Sequence, residues 1–90
     1  MNAQAHAAIL FRVAAKTVAE ARAAWEKVRS SSDETDLRTA FRACVLAARA
    51  SRRAAAVHDA HESARLTAEA NRLDAAATDL KTRLVRAVGV

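Results

Sequence analysis

This sequence predicts an all-α fold, a small antiparallel three-helix bundle with Ala-rich, coiled-coil-like seams, and three observations carry the prediction. There is no proline, and the single glycine is Gly89, so nothing inside the chain breaks a helix or turns a tight hairpin through backbone chemistry. Alanine, which loses no side-chain entropy in a helix, fills 26 of 90 positions. Apolar residues recur at steps of three and four, the period of one helix face.

The first helix is expected over residues 3–30. Phe11, Val18 and Trp25 stand seven apart, with Ala7, Ala14, Ala21 and Val28 between them, so large residues face small ones along one seam. Leu10 and Val13 widen the stripe. Arg12, Lys16, Glu20 and Lys27 take the opposite side, where Ile9 falls without an apolar partner.

Ser30-Ser31-Ser32-Asp33-Glu34-Thr35-Asp36 is the clear interruption, because short polar side chains that bond their own backbone favour caps and turns. A second helix follows over 36–57. Leu37, Phe41, Cys44, Ala48 and Ala55 form one apolar stripe, and Ala43, Leu46, Ala50, Ala54 and Val57 a second, so this helix is expected at the centre, touching both others. Asp59-Ala60-His61-Glu62 matches a capping box and places a break at 57–60. The third helix, 60–88, carries Leu66, Ala70, Leu73, Ala77, Leu80, Leu84 and Ala87 in regular alternation. A chain without this break, folded as a long hairpin that dimerises into a four-helix bundle, is the alternative architecture. The predicted packing seam is Phe11, Val18, Trp25, Val28, Leu37, Phe41, Cys44, Leu66, Leu73, Leu80 and Leu84.

Ninety residues fit one domain spanning 1–90, and a chain of this size buries only about 60–65% of its unfolded surface. Alanine makes up more than half of the apolar residues, which leaves 21 larger ones. That core is thin, and a partner or a second copy is a natural supplement. Arginine-rich, lysine-poor composition matches GC-rich codon usage and a bacterial source. No run approaches the roughly 18 apolar residues of a membrane span, and no export signal is visible, so a cytoplasmic location is expected. Cys44 is the only cysteine and has no internal disulfide partner.

The main functional feature is a basic face. At about 100° per residue, Arg38, Arg42, Arg49, Arg52 and Arg53 share an arc of about 100°. Residues 36–57 hold these five arginines against one acid, Asp36, so this segment supplies most of the formal charge of +5. Guanidinium rows track phosphates or meet acidic protein surfaces, or they are simply the solvated side of a packed helix. The three aromatic residues, Phe11, Trp25 and Phe41, sit at seam spacing and leave no stacking platform for bases. Long glycine-free helices do not suit a helix-turn-helix.

His58, Asp59, His61 and Glu62 cluster locally, but a metal site needs further ligands from facing helices, and capping explains the same residues. With one terminal glycine there is no nucleophile elbow or phosphate loop. The expectation is a non-enzymatic helical interaction or self-assembly module without cofactor, metal, membrane or small-molecule substrate. Its partner is another protein or itself. The alternative is a small basic protein that binds nucleic-acid backbone non-specifically through the arginine face.

Overall fold

In a computed structural model, which describes residues 2–89, three helices run α1 (Ala3–Lys27), α2 (Glu34–Ala55) and α3 (Ala60–Ala87). They form a three-helix bundle, with no strand among the described residues. The bundle measures 49 × 19 × 18 Å. Each helix starts on a polar cap whose side-chain oxygen accepts a free backbone N–H. Asn2 Oδ1 accepts from Ala5 N at 2.8 Å, Asp33 Oδ1 from Asp36 N at 2.9 Å, and Asp59 Oδ1 from Glu62 N at 2.9 Å. Only the first half of the anticipated capping box forms, since the Glu62 carboxylate turns to Arg65 Nη2 at 2.9 Å.

The helix limits differ from the anticipated ones at the end of α1 and at both ends of α2, and α3 ends at Ala87, one residue early. α1 ends at Lys27 instead of residue 30, with Val28 N and Arg29 N donating to Trp25 O and Glu26 O in a turn. Val28 still buries its side chain, which is why the apolar pattern runs past the end of the helix. α2 begins at Glu34 instead of 36 and ends at Ala55 instead of 57, because Asp33 is the cap and His58 Nδ1 donates to Ala54 O at 2.7 Å behind the last turn. α3 stops where Gly89 takes φ 75°, a left-handed conformation open to glycine. The break between α2 and α3 excludes the long hairpin.

α2 is the middle element. It packs against both α1 and α3, while no Cα of α1 comes within 8 Å of a Cα of α3. Three adjacent rows of α2, each repeating every seven residues, are responsible. Ala40, Ala47 and Ala54, all 0% exposed, form the row on the α1 side. Phe41, Ala48 and Ala55 form the row on the α3 side, and Leu37, Cys44 and Ser51 lie between them. Against these rows α1 buries Ala14, Ala21 and the following Val28, and α3 buries Leu66, Ala70, Leu73, Ala77 and Leu80. Alanine on facing helices lets backbones approach toward the lower end of the usual range of about 8–10 Å.

The anticipated second stripe of α2 holds at Ala54, which is buried, and at Ala43 and Ala50, which pack against the core, and is corrected at Leu46 (49% exposed) and Val57, which lie on the surface. Val13, anticipated to widen the α1 stripe, is likewise exposed, as is Ile9. Arg83 ties α3 to the first turn, its guanidinium donating to Ser31 O at 2.8 Å and to Val28 O. Lys27 Nζ and Asp36 Oδ1, 3.6 Å apart, span the same turn from α1 to α2.

Candidate functional site

With the backbones of α1 and α3 packed on α2 and not on each other, a groove runs between them. Its walls are the half-buried row Phe11, Val18 and Trp25 of α1 and the Leu66–Leu73 row of α3. Its floor is the middle row of α2, where Ser51 and Cys44 face it. Arg22 of α1 reaches across to Glu69 of α3, Nη2 to Oε1 at 2.6 Å, and the other carboxylate oxygen accepts from Arg72 Nε at 3.0 Å. This bridge divides the groove into a cleft of about 250 Å³ around Ser51 and one of about 490 Å³ around Trp25 and Cys44.

No family model, curated protein or solved structure matches this chain. Its own geometry therefore carries the functional reading.

The rim is positive toward an approaching ligand. The side chains of Arg22, Arg65 and Arg72 are 71%, 64% and 70% exposed, while the acids that hold them, Glu69 and Glu62, are only 15% and 23% exposed. A ligand meets guanidinium first and carboxylate beneath it. Glu26, the exposed acid beside Trp25, is paired with Arg29 at 2.9 Å, and the Arg29 guanidinium also sits 5.6 Å from the Trp25 ring centroid. Inside, the surfaces are apolar, and burial pushes the Cys44 thiol above its ordinary pKa, so it stays protonated at neutral pH.

Ser51 is the residue that the sequence reading missed. It is 0% exposed, and its Oγ has no hydrogen-bond partner. Its spacing of seven from Cys44 and fourteen from Leu37 was the available signal. An unsatisfied buried hydroxyl costs about 1–3 kcal/mol. Ser51→Ala, which removes the hydroxyl without altering the backbone, should therefore raise Tm by several degrees, at about 4–8 °C per kcal/mol for a chain of this size. A differential-scanning measurement in which Tm falls instead would show that the hydroxyl is satisfied in the free protein.

The predicted seam residues divide between the core and its edge. Val28, Leu37, Cys44, Leu66, Leu73 and Leu80 are buried, while Phe11, Val18, Trp25, Phe41 and Leu84 are half-buried. All five arginines of the basic face are exposed, on the side of α2 away from the groove. Arg38 pairs with Glu34 at 2.7 Å and Arg52 with Asp74, whereas Arg42, Arg49 and Arg53 have no acidic partner among the described residues. The local histidine cluster serves the helix ends: His58 closes α2 and packs on Phe11 with ring centroids 5.7 Å apart, and Asp59 caps α3. Among the described residues no group of three or more His, Cys, Asp or Glu is placed to hold a metal ion, and no helix is long and apolar enough to cross a membrane.

Proposed function

We propose that this protein is a non-enzymatic interaction module that takes one amphipathic helix of a partner protein into the groove between α1 and α3. The observation that carries the reading is the groove itself. Two helices lean on a shared third without closing on each other, and Phe11, Val18 and Trp25 remain half-buried along the gap. A fourth helix laid there covers these side chains and completes the burial that a thin core lacks. Helix-in-groove recognition works in this way, with apolar anchors at i, i+3, i+4 and i+7 seated between two helices.

Charge complementarity specifies the partner. The exposed rim groups at Arg22, Arg65 and Arg72 call for carboxylates flanking the apolar edge of the incoming helix. The formal charge of +5 argues against a second copy as the occupant, since two such chains repel.

Trp25 is the only tryptophan and lines the groove, so it reports occupancy directly. A helical peptide of about three heptads with leucine at the seam and glutamate on its flanks should shift Trp25 emission to the blue with micromolar affinity. A lysine-flanked peptide of the same seam should not. Ala15→Phe places a ring in the Ser51 cleft from an exposed position and should abolish the shift while leaving Tm unchanged. Equal responses to both peptides, or none to either, would end the proposal.

A further inference from the structure

We propose that the outward face of α2 is a separate binding surface, a ridge of guanidinium groups that lies along the phosphate backbone of a nucleic-acid duplex. It is independent of the groove and on the opposite side of the same helix, so both can be occupied at once.

The argument rests on how this chain treats its other arginines. Arg29, Arg38, Arg65 and Arg72 each bind an acid three or four residues earlier on the chain, and Arg22 and Arg52 each bind an acid on α3. Arg83 donates to backbone carbonyls. Arg12 on α1 and Arg86 on α3 lack an acidic partner among the described residues, one on each helix, whereas the middle of α2 gathers three such arginines. Arg42, Arg49 and Arg53 have no acidic partner among the described residues, and the i,i+4 spacing that pairs Glu34 with Arg38 at the start of α2 next sets Arg38 beside Arg42 and then Arg49 beside Arg53. Like charges at that spacing destabilise a helix. Arginine-rich composition alone explains many arginines but not the local absence of acids, because the flanking segments supply them freely. An anionic ligand removes this repulsion.

The shape fits an extended polyanion. Arg38 to Arg53 spans about 22 Å at 1.5 Å per residue, a length over which duplex DNA presents one charge per about 1.7 Å of axis. Beside Arg38 and Arg42, Thr35, Thr39 and Thr17 line a shallow cleft of about 360 Å³ between α1 and α2, with Glu20 as its one acid. The Thr39 and Thr17 hydroxyls donate to carbonyls of their own helices. No aromatic residue lies on the ridge, since Phe11 and Trp25 line the groove and Phe41 is on the α3 side. Stacking on single-stranded bases is thus absent from the surface, and the contact is with backbone.

The test is an anisotropy titration of a labelled mixed-sequence duplex at about 50 mM and about 200 mM salt. It compares the native chain, Arg42→Gln/Arg49→Gln/Arg53→Gln, and an off-ridge control, Arg12→Gln/Lys16→Gln/Arg86→Gln, which removes the same formal charge from exposed positions. The ridge variant should bind many-fold more weakly, with a slope of log affinity against log salt shallower by about 2.7, the value for three lost phosphate contacts. The control should keep the native slope within about one unit. Equal losses in the two variants would reduce the effect to net charge and overturn the proposal. So would absence of duplex binding at the lower salt, or ridge-dependent binding to phosphatidylserine vesicles without duplex binding. Melting curves of both variants confirm folding. The glutamate-flanked peptide should still shift Trp25 in the ridge variant, which separates failure of this proposal from failure of the groove.

Discussion

Leu80→Ala should lower the stability of this protein by about 2–5 kcal/mol, the range for a leucine deleted from a closed core. Leu80 is 0% exposed and belongs to the cluster that joins Val28 from the first turn, Leu37 and Cys44 from α2, and Leu73 and Ala77 from α3. The neighbours include few large side chains able to move in, because alanine fills so many surrounding positions. Collapse is therefore limited and the upper half of the range applies. Total stability for 90 residues is about 5–13 kcal/mol, so the loss removes a large share of it. Urea denaturation followed by circular dichroism measures it, with the midpoint falling and the slope unchanged. Leu73→Ala, at a position that is 7% exposed and opens toward the groove, should cost less than Leu80→Ala. The reverse order would mean that the core centres on the groove wall and that the groove is not a surface left for a partner.

The three helices could be read from the sequence because their signals are local. Absence of proline and of internal glycine, the Ser30–Asp36 interruption and the cap at Asp59 each act within a few residues, and each has a counterpart in the structure. The face of α2 that meets α1 could not be read in this way. Leu46 and Val57 outweigh alanine on any hydrophobicity scale, so the sequence pattern favoured their stripe. Of that stripe only Ala54 is fully buried, and it continues the row of Ala40 and Ala47, since close approach of two helices rewards small side chains over large apolar ones. Arg83 and its carbonyl partners at Val28 and Ser31 are more than fifty residues apart, a tertiary match that no spacing rule reveals. The groove is likewise a distance between two helices that do not follow one another, and Ser51 beside two arginines reads as surface until its row with Leu37 and Cys44 is traced.

The alanine row supplies the second large effect, which should appear on enlargement. Ala47→Leu adds three carbons at a site that is 0% exposed, on the side of α2 where Ala14 and Ala21 of α1 are themselves at 2% and 0%. The facing surfaces are already closed against each other, so the helices must separate or the leucine must leave its rotamer, at a cost of about 1–3 kcal/mol. Leucine and alanine are both strong helix formers, so propensity cannot account for the change. Ala75→Leu, the same substitution at an exposed position of α3, should stay within about 0.5 kcal/mol. The geometry adds a second readout. Pushing α1 off α2 alters the span bridged by Arg22 and Glu69 and the packing of Trp25, so Ala47→Leu should change Trp25 emission in the free protein and weaken the glutamate-flanked peptide. A variant with unchanged stability and unchanged emission would show that α1 and α2 have room between them, and the groove could then close by movement of α1.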